Sequence, residues 1–241
     1  MHTATESIVG PIGVEEIAAL IAPPRGGRVL DIGSGKGNLL SVLERSESEL
    51  VGMDPWPKMV SESRHRLARA DIVIAVGESL PFRSGSFDRV NATFVLEHVR
   101  DQDVVLREIS RILAPGGRMI IGSPNASSPY GMIVASIPIR LRNAILSRIG
   151  SDASGTFSFE DETVHYRYCS IGRLDRVTRK LSFKRLEVVW STGLRPLGGR
   201  SKVFSLLFGT FWRVCEVISK NRSLAWMAPH FYAVYEKRGS E

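Results

Sequence analysis

Nine residues, Val29–Gly37, read VLDIGSGKG. Apolar residues run into a carboxylate, and three glycines then alternate with other residues. A strand that breaks at once into a glycine turn constrains this chain more than any other stretch. Glycines there permit dihedrals closed to other residues and let the backbone approach a ligand. In an open parallel sheet, ligands bind at the carboxyl ends of the strands, where the strand order reverses.

The following residues repeat the strand-then-helix alternation. Arg28–Ile32 is the first strand, and NLLSVLERSE after it has helical spacing. ELVGMD, DIVIAV, FDRVNATF and GRMIIGS read as further strands. PKMVSESRHRLARA and DQDVVLREISRIL read as helices, the second carrying Val104, Val105, Ile109 and Ile112 at near-helical intervals and stopped by APGG. Buried parallel strands joined by helices on both faces form a doubly wound α/β sheet. Later, SIGRLDRVTRKL reads as a helix, and FKRLEVVWS and HFYAVYEKR read as strands. Two amphipathic stretches, 137–149 and 203–218, are helical insertions that either form a lid over the substrate or complete the core. Neither is apolar over the ~20 residues that a bilayer span requires.

The glycine spacing and the acid decide between ligands. A nicotinamide dinucleotide calls for G-x-G-x-x-G, with its pyrophosphate on a helix N-terminus. Here the glycines are Gly33, Gly35 and Gly37, and Asn38 stands where the third glycine of that pattern belongs. Asp31 would repel a pyrophosphate but suits a ligand carrying positive charge. S-adenosyl-L-methionine, with an ammonium and a sulfonium, is such a ligand. Asp54 ends the second strand, where a carboxylate can accept from both ribose hydroxyls. Pro55 and Trp56 follow it, with Trp56 either lying against adenine or packing on the surface.

Five phrases in order, VLDIGSGKG, VGMDP, GESLPFRSGSFDRV, FVLEHVRD and LREISRILAPGGRMIIGSPN, resemble the class I S-adenosylmethionine-dependent methyltransferases. The nearest branch is the type 11 domain, which includes the ubiquinone/menaquinone C-methyltransferases. The resemblance spans about residues 29–125. It implies a Rossmann-like fold, a glycine turn (Asp31, Gly33, Ser34, Gly35, Gly37) around the methionine moiety, Asp54 on the ribose, and Glu78 and Ser79 beside adenine, with Asn91 facing the same site. Many relatives place an Asp two residues before Glu78, but this chain has Val76.

The acceptor is less constrained. Methyl transfer from a sulfonium is an in-line displacement that needs alignment and sometimes proton removal. His98, in LEH, is either a general base or a residue that shapes the pocket. His165, in ETVHYRYCS, resembles a phrase found in relatives that modify glycans or lipids, and is either the base or a capping residue. NATF at Asn91–Phe94 is not the Asn-Pro-Pro-Tyr phrase of amino-methylating nucleic-acid enzymes.

Charge divides the chain. Residues 1–120 hold 14 Lys+Arg against 16 Asp+Glu, and residues 121–241 hold 18 against 9. One domain over 1–241 is expected, with a cofactor-binding half (1–125) and a basic, substrate-facing half (126–241). The expected acceptor is a small molecule, sugar or lipid-linked compound, anionic or membrane-borne, methylated on oxygen or carbon. An RNA methyltransferase and a non-catalytic S-adenosylmethionine-binding scaffold at a membrane surface are the alternatives. No separate RNA-binding module is visible, and nucleic acid is disfavoured. Two cysteines and no signal-like N-terminus suit a cytoplasmic protein, soluble or peripheral at the membrane. No His/Cys/carboxylate spacing suggests a metal.

Overall fold

A computed structural model describes residues 5–10, 12–136, 169–192, 217 and 221–239. Eight strands form one sheet in the order β1-β7-β8-β6-β5-β2-β3-β4. They are β1 (Thr5–Val9), β2 (Arg28–Ile32), β3 (Glu49–Asp54), β4 (Asp71–Ile74), β5 (Phe87–Thr93), β6 (Leu113–Pro124), β7 (Phe183–Ser191) and β8 (His230–Lys237). Every pairing is parallel except those of β8, which runs antiparallel to both β6 and β7. The helices are α1 (Val14–Ile21), α2 (Asn38–Leu43), α3 (Pro57–Arg66), α4 (Gln102–Ile112), α5 (Pro129–Ser136) and α6 (Ile171–Lys180). A 3₁₀ segment, Arg222–Met227, precedes β8.

The sheet is apolar on both faces, as strands sandwiched between helices require. On one face, Leu30, Ile32, Val90, Ala92, Ile121 and Phe231 pack with Val105, Leu106, Ile109 and Ile112 of α4. On the other, Val29, Ile120, Tyr232 and Val234 pack with Ile17 and Ile21 of α1 and with Leu39, Leu40 and Leu43 of α2. The α4 helix is amphipathic, and Asp101 caps it by accepting from the backbone N–H groups of Asp103 (2.9 Å) and Val104 (3.1 Å). The α3 helix starts on Pro57, whose missing N–H costs nothing at a helix start.

The doubly wound reading of the sequence holds, with differences at the margins. The third predicted strand, DIVIAV, ends at Ile74, and the helix after Asp54 stops at Arg66 because Leu67 is extended and buried against the turn. APGG does not separate helix from strand, because β6 begins at Leu113 immediately after α4, with Gly116 at a φ of 74°. Both β1 and α1 escaped the sequence reading. The residues of β1 alternate weakly and gain a partner only from β7, whose own residues lie about 180 positions away. The insertion helices expected at 137–149 and 203–218 lie outside the described residues except for Val217, which is helical and exposed.

Ile109 is fully buried at the centre of the α4 contact. Ile109→Ala should destabilise the fold by about 2–5 kcal/mol, read as a lower urea midpoint with an unchanged slope. A midpoint equal to wild type would show that α4 does not carry the core.

Candidate functional site

The order of the sheet reverses between β2 and β5, and the candidate site lies at their carboxyl ends. Gly33, Gly35 and Gly37 all adopt positive φ (68°, 51° and 74°), a region that favours glycine. Ser34 N–H donates to Met53 C=O at 2.9 Å, and Gly37 N–H donates to Ser34 C=O at 2.8 Å before α2 begins. A Cβ on Gly33 would lie 2.8 Å from Val95 Cγ2, and one on Gly37 would lie 2.6 Å from Leu67 Cδ1. Among the described residues nothing comes within 4 Å of a Cβ built on Gly35. The turn is therefore clamped at both ends and open at its middle.

Two carboxylates face that opening. Asp31 is 3% exposed, and Asn91, opposite it in the β2–β5 register, donates from Nδ2 to Asp31 Oδ1 at 2.8 Å. Thr93 Oγ1 donates to Asn91 Oδ1 at 2.7 Å and fixes the amide. Burial pushes the Asp31 carboxyl up to about 7, against the Asn91 hydrogen bond and with a smaller push from the Asp54 charge. Asp54 Oδ2 accepts from Gly35 N–H (3.0 Å) and Oδ1 from Trp56 N–H (2.9 Å). Burial raises its pKa as well, and those two hydrogen bonds oppose the rise. Ser34 Oγ is buried and unpartnered among the described residues. Two desolvated carboxylates, an orphaned hydroxyl and an open glycine cradle fit a ligand with a cationic end and a diol, as S-adenosylmethionine has. They do not fit a pyrophosphate.

Farther along the carboxyl edge, Pro55 and Trp56 are exposed, and Trp56 stands at the start of α3. Ile74, the last residue of β4, and Val76 just beyond it are also exposed large apolar residues. Glu78 Oε1 accepts from Arg100 N–H at 2.9 Å, so this carboxylate braces the loop after β4 against the loop after β5. Ser79 N–H donates to Val76 C=O.

On the other side of the switch point, residues 94–98 leave β5. Phe94 has a φ of 57°, an unusual conformation for a side-chain-bearing residue and one concentrated at functional sites. Its ring meets His230 edge-on at 5.6 Å and Tyr232 at 6.0 Å. Gly122 sits between Thr93 and Tyr232 in the register, where a Cβ would meet both within 2.8 Å. Glu97 is 2% exposed, and burial raises its carboxyl to about 8. Among the described residues neither its Oε2 nor the nearby buried Ser123 Oγ has a well-formed hydrogen bond, although the Ser123 hydroxyl is close enough to oppose the rise. Cys169 is buried and its thiol is pushed up to about 12, chiefly by burial, which makes it inert.

The predicted cofactor residues Asp31, Gly33, Ser34, Gly35, Gly37, Asp54, Pro55, Trp56, Glu78, Ser79 and Asn91 thus converge on one edge of the sheet. His98 lies on the turn after β5, partly buried, with its N–H donating to Val95 C=O. His165 lies outside the described residues. The sequence reading passed over Thr93, Glu97, Tyr232 and His230 as site residues. His230 opens the last strand, and only the antiparallel insertion of β8 brings it to this edge. Among the described residues no helix is long and apolar enough to cross a membrane.

Residues 30–121 match the family model of the type 11 methyltransferase domain. A demethylmenaquinone methyltransferase of Clavibacter sepedonicus is 38% identical over 104 residues, 42% of each chain. A ubiquinone biosynthesis O-methyltransferase of Xanthomonas axonopodis is 29% identical over 122 residues, 48% of this chain and 51% of that one. The chain thus spans about half the length, or less, of these curated relatives. Among solved structures, the geranyl diphosphate C-methyltransferase of Streptomyces coelicolor superposes with a TM-score of 0.62 at 15% identity, covering 94% of this chain and 79% of that one. The YcgJ protein of Bacillus subtilis superposes with a TM-score of 0.58 at 16% identity, covering 94% and 98%. Residues 30–121 therefore match a methyltransferase domain of the type 11 family, and the superposed structures share the fold of the chain.

Proposed function

We propose that this protein transfers the methyl group of S-adenosylmethionine to an oxygen or carbon of a small-molecule acceptor. The observation that carries the reading is Asp31, a buried carboxylate aimed at an open glycine cradle. Bound there, S-adenosylmethionine supplies an electrophilic methyl carbon on a positively charged sulfur. The chain's own work is to hold and desolvate. Asp31 and Asp54 provide negative charge in a site of low polarity, where a charge interaction is stronger than in water. Asp54 is braced by Gly35 and Trp56 N–H groups and keeps lone pairs for a diol. Trp56, Ile74 and Val76 offer apolar surface to a flat base. Val76 replaces the carboxylate of many relatives, so packing rather than a side-chain hydrogen bond would hold the adenine edge.

For the acceptor, a ring of the quinone-precursor type is favoured by two relatives named for quinone biosynthesis and by the aromatic group Phe94, Tyr232 and His230. The excess of Lys and Arg in residues 121–241 would suit an anionic or lipid-linked group on it.

Calorimetric titration tests the reading. S-adenosylmethionine should bind in the micromolar range and a nicotinamide dinucleotide should not. The reverse pattern would refute it. Asp31→Asn should weaken S-adenosylmethionine at least about tenfold, roughly 1.4 kcal/mol, while the chain stays folded by circular dichroism.

Asp31 also predicts a pH dependence. Its folded pKa of about 7 stands above the ordinary 3.8, so the folded chain binds its proton more tightly than the unfolded chain does. Stability from this group is present below about pH 4 and is lost as pH rises towards 7. Thermal melts of the ligand-free protein should therefore fall over that window, and Asp31→Asn should flatten the fall. A cationic ligand favours the ionised form, so binding near pH 6 should release protons, detected as heats that vary with the buffer. Heats independent of buffer would contradict the placement of the ligand's charge beside Asp31.

A further inference from the structure

His230 is an ionisable side chain at the acceptor edge, beside Phe94 and Tyr232, and no proton-transfer role has yet been given to it. The sheet register fixes its place. Asp31 faces Asn91, Thr93 faces Gly122, Gly122 faces Tyr232, and Pro124 faces His230. Val29, Ile120, Tyr232 and Val234 all pack on the α1/α2 side, so strand alternation puts Asp31, Asn91, Thr93 and His230 on that same side. Phe94, whose loop touches the glycine turn through Val95 and Gly33, lies between that turn and His230. The imidazole is partly exposed, and among the described residues its only recorded partner is the Phe94 ring. Asn125 anchors the approach to it, because Asn125 N–H donates to Pro229 C=O (2.7 Å) and Nδ2 donates to the carbonyls of Trp226 (2.7 Å) and Ala228 (2.8 Å). A rigidly placed imidazole whose ring nitrogens meet no hydrogen-bonding group among the described residues, at the edge of an aromatic cluster, is suited to accept a proton.

We propose that His230 takes the proton of the acceptor's hydroxyl during methyl transfer, an inference that rests on the methyltransferase reading and its oxygen branch. The hydroxyl oxygen bonds to the methyl carbon as the carbon–sulfur bond breaks, and the electron pair of that bond returns to sulfur, leaving S-adenosylhomocysteine. The hydroxyl proton passes to the imidazole, and the imidazolium later releases it to water. Burial lowers the His230 pKa to about 4, so the ring is neutral through the working range. A weak base suffices, since a hydroxyl oxygen that is gaining a methyl group becomes strongly acidic. The titratable groups of the surrounding elements are Asp31 on β2, Glu97 and His98 after β5 and Tyr232 on β8. At this end β6 and β7 carry Ser123 and Ser191, which do not titrate.

The test uses the full chain, His230→Gln and His230→Ala, with catechol and 4-nitrocatechol as probe acceptors. Calorimetry with S-adenosylmethionine comes first, and failure of the wild type to bind would defeat the methyltransferase reading itself. Both variants should bind it within about twofold of wild type. Near neutral pH the catechol hydroxyl is protonated and needs a base, whereas 4-nitrocatechol is largely ionised and does not. Turnover of catechol should fall about 10²–10³-fold in both variants. Turnover of 4-nitrocatechol should fall less than about tenfold, and added imidazole should restore part of the His230→Ala loss. Equal losses on the two acceptors, no loss on either, weakened cofactor binding in both variants, or a wild type that binds S-adenosylmethionine and methylates neither probe would each overturn the proposal. One readout needs no turnover. In protein holding S-adenosylhomocysteine, the His230 ring proton signal, assigned by its absence from His230→Gln, should shift when 4-nitrocatechol is added, and an unmoved signal overturns the assignment.

Discussion

The hydrogen bond from Asn91 to Asp31 crosses the seam at which the sheet changes direction, and much of the site is arranged around it. It joins β2 to β5 by side chains as well as by backbone, in a place where each group alone would be costly to bury. Thr93 holds the amide, the amide holds the carboxylate, and the carboxylate borders the glycine turn. The turn is in turn tied to β3 through Ser34 and Met53 and to Asp54 through Gly35. A short relay of hydrogen bonds therefore connects three neighbouring strands at their carboxyl ends and gives the opening its fixed shape.

That relay carries strain in electrostatic form. Asp31, Asp54 and Glu97 are all carboxyl groups whose ionised forms are disfavoured by burial. Such groups destabilise a domain that has nothing to gain from them, and perturbed carboxyls in a cleft mark functional sites. Here two of the three border a cradle that accepts positive charge, so binding and ionisation assist each other. Glu97 is different, since its neighbour is the buried Ser123 hydroxyl at the end of β6.

The cofactor half was legible because its information is local. A carboxylate, three alternating glycines and a second acid about twenty residues on lie in one continuous stretch, and each has a chemical reason to be there. Asn91 came only with the family resemblance, and its hydrogen bond to Asp31 is visible only in three dimensions. The acceptor side was not legible because it is assembled from distant segments. Nothing adjacent to His230 in the sequence distinguishes it from any histidine at the head of a strand. Its meaning comes from β8 entering antiparallel between β6 and β7, which no local pattern announces. Phe94 looked like an ordinary strand residue, and its left-handed backbone is visible only in three dimensions. The mis-set ends of β4 and α3 have a simpler origin, as the apolar residues beyond them, Val76 and Leu67, continue the pattern after the regular structure has stopped.

The outer strand β1 has a consequence for how the chain is made. Its five residues leave the ribosome before those of the other strands, yet among the described residues their only strand partner is β7, whose residues follow about 180 positions later. At translation rates of about 5–20 residues per second, some 10–40 s separate the two. During that interval the remaining parallel core can assemble around β2, β3 and β5, while β1 waits as a loose tether. A strand synthesised before its partner is thus among the last to dock, and its docking through Thr192 and Ser191 covers the edge of β7, which would otherwise offer itself to a neighbouring nascent chain.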